Sequence, residues 1–383
     1  MRNNLSVYID IPFCRKKCVY CDFPSFVCTE STINSYIDQL ISEIDAKSEM
    51  LKSHYIRTVF IGGGTPSLLS VYNMKSLLKH FLGTIKNIPD EFTIECNPES
   101  VTVSKLKLFK SYGVNRLSIG LQSTEEKELE LLGRCHTYKD FEIAYDMIRK
   151  LGFDNVNIDL MFNLPNQKSC DFKKSLKRII DLKCEHISCY GLIVENNTLL
   201  KKYLLEKKYP YPDEDEYIKT YDYIVNTLNL NGYTRYEISN FALKGKECLH
   251  NQVYWQREDY AGIGLSAASF ILNRRFSNPS TLKEYLSLDC EGFINLSKTS
   301  VLSERDIFEE SVFLSLRMMQ GLDVNVLKEK CPLYTGYNFE NTLNDLIKRK
   351  LIKRTGNYIS LDDNAVNISE SIFLELITKS ENE

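Results

Sequence analysis

Six short β-branched runs alternate with amphipathic stretches through the first half of the chain, and few folds accommodate that pattern. "SVYIDI" (6–11), "RTVFIGGG" (57–64), "EFTIEC" (91–96), "NRLSIG" (115–120), "NVNIDLM" (155–161) and "HISCYGL" (186–192) read as buried parallel strands. Between them, 31–52, 71–86, 103–112, 138–151 and 169–182 place Leu, Ile or Phe at i, i+3 and i+4, with polar residues facing outward. The series predicts an α/β fold in which the sheet curls into a partial (β/α)6 barrel. Such folds carry their chemistry on loops at the C-terminal ends of the strands. Three unusual motifs fall there: a cysteine loop after the first strand, Gly-Gly-Gly-Thr-Pro after the second and Asn-Pro-Glu after the third.

After residue 200 the alternation is lost. A Pro- and Asp-punctuated loop leads into a helix ending near Asn231-Gly232, followed by the strand-like "YTRYEISNFA" and the Gly-rich "YAGIGLSAASF". From about Ser303 the pattern is mainly helical, with a helix, helix, short hairpin and helix outlining a small winged-helix-like domain. The expected organisation is a barrel over 1–200, an extension over 201–300 and a helical domain over 301–383. The winged outline does not predict nucleic-acid binding, because the basic "KRKLIKR" lies between acidic stretches and the net charge is −3.

No apolar run is long enough to span a membrane, and "MRNNLSVYIDI" lacks the layout of a signal peptide. The expectation is a cytoplasmic protein whose 12 cysteines stay reduced. A tight cysteine cluster then points to metal or redox chemistry. Cys14, Cys18 and Cys21 form C-x3-C-x2-C within "DIPFCRKKCVYCDF". Three thiolates suit three corners of a [4Fe–4S] cube, leaving the fourth iron open, whereas structural zinc usually takes four ligands and Cys28 breaks the spacing. Arg15, Lys16 and Lys17 either offset the cluster's charge or are solvated loop charges. Cys28, Cys170, Cys184, Cys290 and Cys331 read as small buried or half-buried thiols. "FIGGGTPSLL" matches neither a dinucleotide fingerprint nor a P-loop. It reads either as a tight strand-to-helix turn or as backbone that approaches a ligand closely.

The order and spacing of "YIDIPFC", "GGGTPSLL", "ECNPES", "GVNRLSIGLQS", "LGRCH", "IDLMFNLP", "YEISNFA", "HNQVYW" and "DYAGIG" resemble the radical S-adenosylmethionine (SAM) superfamily nearly end to end. Within it the chain is similar to the oxygen-independent coproporphyrinogen oxidase group, most closely its HemW-type heme chaperone branch. The resemblance implies a [4Fe–4S] cluster on Cys14, Cys18 and Cys21, with SAM chelating the fourth iron. It also implies that Tyr8, Tyr20, Gly63, Gly64, Thr65 and Glu95 surround that SAM. Gln122, Arg134, Asp159 and Ile193 match positions that contact SAM, in part a second molecule, in the oxidase branch. In the chemistry so implied, one electron from a flavodoxin- or ferredoxin-type donor cleaves SAM to methionine and a 5′-deoxyadenosyl radical, the cofactor supplying the reactivity and the protein its positioning.

Two functions follow from the resemblance. One is a heme chaperone that binds heme as cargo and delivers it to acceptor proteins, touching the membrane peripherally at most. The other is an enzyme, a coproporphyrinogen III oxidase (dehydrogenase) or another radical SAM enzyme acting on a tetrapyrrole. Oxidase-type members carry a fourth cysteine two residues after the third, where this chain has Phe23, and the first strand begins almost at Met1. The chaperone branch carries "HNxxYW", present as His250 to Trp255. His250, Cys248, Tyr254 and Trp255 are therefore the heme candidates. His250 is readable as an axial ligand or as a buried, hydrogen-bonded histidine. The chain departs from the family at Asp10 and at Ser266-Ala267-Ala268, where a histidine is usual before Ile-Pro-Phe-Cys and in Gly-Ala-His.

Overall fold

The structure, a computed structural model, describes residues 3–379. Through the barrel it runs β1 (Asn4–Ile11), α1 (Glu30–Ala46), α2 (Ser48–Ser53), β2 (Tyr55–Gly63), α3 (Val71–Thr84), β3 (Glu91–Cys96), α4 (Val103–Ser111), β4 (Arg116–Gln122), α5 (Glu126–Leu132), α6 (Tyr138–Lys150), β5 (Val156–Phe162), α7 (Ser169–Asp181) and β6 (His186–Gly191). The next segment holds α8 (Leu199–Leu205), α9 (Glu214–Leu230), β7 (Thr234–Arg235), β8 (Asn240–Ala242), α10 (Leu249–Trp255), β9 (Tyr260–Ile263), β10 (Ala268–Ile271), β11 (Arg274–Ser277), α11 (Leu282–Leu286) and α12 (Cys290–Asn295). The chain then continues through α13 (Glu304–Ser315), β12 (Leu322–Asp323), α14 (Val324–Lys330), α15 (Tyr337–Lys348), β13 (Ile352–Thr355), β14 (Tyr358–Leu361) and α16 (Ser369–Lys379).

Strands β1 to β6 pair in sequence order, all parallel. Their two faces differ in kind. Val7, Ile9, Val59, Ile61, Phe92, Ile94, Leu117, Ile119, Ile158 and Ile187 are fully buried on the helix-covered face. Each such side chain contributes roughly 1.5–3 kcal/mol of transfer free energy, so this face holds the sheet to its helices. The alternate positions, Ser6, Thr58, Glu91, Arg116, Ser118, Asn157, His186 and Ser188, are buried and polar, and they line the concave face. Hydrogen bonds tie them together: Asn157 Nδ2 donates to Ser118 Oγ at 2.8 Å, and Ser188 Oγ donates to Asn157 Oδ1 at 3.1 Å.

Residues 201–300 extend the same sheet at both edges. β9 joins β1 in parallel and carries β10 and β11, while β8 and β7 add antiparallel strands beside β6. Helix α10 lies inside the curl, with the His250 ring centroid 5.2 Å from that of Phe60. The C-terminal region packs its helices against the three-stranded antiparallel sheet β12-β14-β13, matching the winged outline.

The expected helix over 31–52 is broken at Lys47. There the backbone turns (φ −91, ψ 4) and Nζ reaches Glu43 Oε1 (2.5 Å) and Gly262 O (2.8 Å). Fully buried Glu43 also accepts from Gly264 N, Asn278 Nδ2 and Tyr285 Oη, so a saturated carboxylate pins α1 to the later segment. Helices α5, α8, α11 and α12 are short and were not foreseen. Cys170 and Cys290 are exposed at the starts of α7 and α12, which corrects the expectation of buried thiols there.

Candidate functional site

The cysteine loop follows β1 and is held by backbone bonds rather than by its own side chains. Cys14 N donates to Phe26 O (3.1 Å), Phe26 N to Pro12 O (2.9 Å) and Val19 N to Leu132 O (3.1 Å), while Val19 O accepts from Leu200 N (2.8 Å). The glycines of the next strand end let this loop sit close. A Cβ on Gly64 would stand 2.7 Å from Phe13 O, and Gly63 has φ +105 with Asp10 Oδ1 where its Cβ would go. The Gly-Gly-Gly run is thus required first by packing of β2 against the cysteine loop, and Gly64 N donates to Ile11 O (2.9 Å) across that contact.

Cys14, Cys18 and Cys21 are free, half-buried and open to one cavity of about 500 Å³. Tyr20, Gly63, Gly64, Thr65, Glu95, Gln122, Arg134, Asp159 and Ile193 line the same cavity. Tyr8 lines an adjoining cavity of about 380 Å³ that shares Gly63, Gly64 and Glu95 with the first. Every position carried over for cluster or SAM therefore reaches one connected region.

The thiols carry donors suited to thiolates. Arg134 Nη1 donates to Cys18 Sγ at 3.4 Å and Thr65 Oγ1 to Cys14 Sγ at 3.7 Å. Burial pushes the Cys14 and Cys21 thiols up, so their ionisation calls for positive charge brought by metal. Among the described residues, no three His, Cys, Asp or Glu side chains converge as one metal ion demands. A cube does not ask for that, since each thiolate binds a different iron. The donor set fits a [4Fe–4S] cluster. Lys16 lines the cavity, whereas Lys17 is spent on Phe23 O (2.8 Å) and Arg15 is exposed.

Arg134, expected to contact SAM, has several partners within the protein. Its Nη2 donates to Asn97 Oδ1 and Gly120 O, both at 2.7 Å, so it braces the strand ends as well as Cys18. Asn97, which also donates to Thr65 Oγ1 (3.0 Å), is a site residue that sequence reasoning missed although it stands in the quoted "ECNPES". Gln122 sits at φ 72 on a bulge in β4, the strained backbone often found at functional sites. Glu95 is pushed up to about 8 by burial, then by Asp159, while its Oε2 accepts from Gly63 N (3.2 Å). Asp159 is raised by burial despite a bond from Asn157 Nδ2 (2.8 Å).

The two family departures meet: Asp10 and Ser266-Ala267-Ala268 line the same 380 Å³ cavity. Asp10 is raised to about 8 by burial, and its Oδ2 has no partner among the described residues.

None of the four heme candidates lines the main cavity. His250 is 1% exposed, and both ring nitrogens are engaged, Nδ1 with Thr58 Oγ1 (2.7 Å) and Nε2 with Tyr254 Oη (2.9 Å). Thr58 Oγ1 donates onward to Ser6 Oγ, which assigns the Nδ1–H tautomer and turns the Nε2 lone pair to the Tyr254 hydroxyl. Cys248 is fully buried, its Sγ donating to Glu91 Oε1 (3.3 Å). In this structure His250 braces α10 against Thr58, and Cys248 bonds to Glu91. Tyr254 lines the side cavity, and Trp255 turns away into a separate cavity of about 240 Å³ beneath the C-terminal domain. The member of the motif that reaches the main cavity is Asn251, together with Arg116 from the foot of β4.

Burial drives the His250 pKa down to about 3. On acidification from about 6.5 to 3 the unfolded chain takes up a proton that folded His250 refuses, so stability falls by about 1.4 kcal/mol per pH unit across that window. Buried His186, also lowered, adds to the same loss. Urea midpoints measured from pH 7 to 4 should fall steeply, and His250→Gln should reduce that slope by about one proton.

The radical SAM superfamily matches residues 8–179, which implies a [4Fe–4S] cluster and SAM. Among solved structures, coproporphyrinogen III oxidase (HemN) from Escherichia coli superposes with a TM-score of 0.84 at 24% identity, over 98% of this chain and 90% of that one, a likeness of fold. No helix among the described residues is long and apolar enough to cross a membrane. Heme chaperone HemW of Escherichia coli (strain K12) is 37% identical over 265 residues, 69% of each protein. Heme chaperone HemW of Bacillus subtilis (strain 168) is 33% identical over 370 residues, 96% of this chain and 98% of that relative. Likeness at that level over nearly the full length of both proteins means that the chain belongs to the heme chaperone HemW family of the radical SAM superfamily.

Proposed function

We propose that this protein binds heme and passes it to heme-accepting proteins, with the cluster and SAM in a supporting role. The observation that carries the reading is the near-full-length likeness to heme chaperones. Phe23 adds to it: the position two after Cys21 is an exposed phenylalanine, so the loop offers no fourth thiolate.

In this reading Cys14, Cys18 and Cys21 hold the cluster, and Arg134 and Thr65 stabilise two of the sulfurs by donating to them. Cluster and SAM, when bound, supply one-electron reductive chemistry that a flavodoxin- or ferredoxin-type donor feeds. The chain's own residues do the positioning. Gly63 and Gly64 let the backbone approach the ligand closely, while Glu95 and Asp159 offer carboxyls to an ammonium or ribose hydroxyls. Tyr8, Tyr20, Gln122 and Ile193 complete the walls. Glu95 is held protonated near neutrality by burial, and it ionises when a cation settles beside it.

Anaerobic reconstitution tests the reading. The loaded protein, given reductant, SAM and coproporphyrinogen III, should release no protoporphyrinogen, and in parallel it should take up heme stoichiometrically and transfer it to an apo-heme protein. Substrate-dependent protoporphyrinogen formation would replace the chaperone with an oxidase.

A further inference from the structure

Arg116 opens β4 and is 1% exposed, yet its guanidinium makes no hydrogen bond and no ion pair with a described residue; its Nε is buried without a partner. A charge removed from water and left unpaired is among the costliest features a fold can keep. The nearest acids do not relieve it. Glu91 is committed to Cys248 Sγ, Leu249 N and His250 N, and Asp159 to Asn157 and Ser118. They act on Arg116 through space only, holding it charged.

The guanidinium lines the main cavity, which beside Asp159 also carries the neutral hydrogen-bonding groups of Ser118, Asn157, Ser188 and the Asn251 amide from α10. Asn251 is half-buried and makes no side-chain hydrogen bond with a described residue. The planar fork of a guanidinium matches a carboxylate with two parallel bonds. A doubly charged phosphate suits the place less well, because Asp159 lines the same cavity. The position also separates this subsite from the cluster. β4 rises about 3.3 Å per residue, so Arg116 stands about 20 Å along the strand from Gln122 at the cluster end. A carboxylate chelated at the open iron does not reach it.

We propose that Arg116, with Asn251 beside it, is a carboxylate-binding subsite at the floor of the barrel that takes a propionate of the tetrapyrrole cargo. The inference rests on the heme-delivery reading and deepens it. Propionates are the only anionic groups heme carries, and one anchored at the floor leaves the ring plane higher in the cavity. Arg116 is here a binding residue with no part in holding the cluster.

The test compares heme with its dimethyl ester, both propionates masked, against the cluster-loaded full chain in one detergent-containing buffer. Wild type should hold heme at least about tenfold more tightly than the ester, the scale expected when one partner of a buried charge pair is removed. Arg116→Met should lower heme affinity to that of the ester and leave the ester unmoved. Arg116→Lys, which keeps the charge and loses the fork, should fall between and serves if the methionine variant does not fold. SAM affinity should be unchanged in both. Equal affinity of wild type for heme and ester overturns the inference while the delivery reading stands, as does an equal loss for both ligands in the variants. Weakened SAM with unchanged heme moves the carboxylate to SAM and overturns the cargo assignment. Failure of wild type to bind heme removes the delivery reading and this subsite with it.

Discussion

Replacing Cys14, Cys18 or Cys21 singly with alanine is expected to take the iron retained after anaerobic reconstitution from about four atoms per chain to near none. The visible absorption of the cluster should disappear in parallel. The size of the effect follows from geometry: with three thiolates for four irons there is no spare ligand, and Cys28, half-buried and raised by burial and then by Glu30, is not placed to substitute. The fold should survive. The loop is fixed by main-chain bonds from Cys14, Val19 and Phe26, none of which uses a sulfur. Far-ultraviolet circular dichroism and the urea midpoint of the metal-free variants should match those of the metal-free wild type. Cys18→Ala should carry one additional signature, since it frees Arg134 Nη1. Cys28→Ala is the control and should load normally. A triplet variant that keeps its iron and its spectrum would overturn the cluster assignment.

Much of this was legible because the barrel strands announce themselves twice, by β-branched composition and by regular spacing. The helix-facing residues, Val7 to Ile187, are apolar at every second position, which places each strand without reference to tertiary contacts. The same alternation hid the interior. Ser6, Thr58, Ser118 and Asn157 look like solvent-facing residues of a half-buried sheet, yet they face inward and satisfy one another. Period two cannot separate water from a polar lumen. The short helices escaped because five to seven residues hold too few repeats to show a 3.6-residue period. The site's cysteines and glycines were visible as motifs because their spacing is local. Arg116 and Asn251 were written inside quoted motifs, but 135 positions apart in sequence, and only the curl of the sheet around α10 brings them to one cavity. His250 stayed open for a related reason: a histidine beside aromatics suits either a ligand or a buried brace, and only the fold shows it buried and bonded to Thr58.

Glu91→Ala should produce the largest loss of stability among single substitutions outside the cluster loop. Glu91 is 3% exposed, and it caps α10 from another element. Cys248, at the N-cap of α10, makes no side-chain cap bond. Glu91 instead accepts from Leu249 N (2.8 Å), His250 N (3.0 Å) and Cys248 Sγ (3.3 Å), meeting the unpaired N–H groups of the first turn. Removing it strands two buried donors and one half-buried one, and leaves Arg116 with one fewer counter-charge, a loss of about 3–5 kcal/mol. Glu91→Gln, which keeps an acceptor and loses the charge, should lose less. Trp255, the only tryptophan in the chain, ends the same helix and reports on it. Its fluorescence should change at lower urea in Glu91→Ala than in wild type, ahead of the far-ultraviolet signal from the barrel. The consequence for function follows from where α10 lies. The helix carries Asn251 and packs His250 against Thr58, so it forms the floor of the cavity, while the cysteine loop is at the opposite ends of the strands. At a temperature where the variant stays folded, cluster loading should therefore match wild type while heme dissociates faster. A variant that loses cluster and heme together would mean that α10 supports the whole barrel rather than its floor.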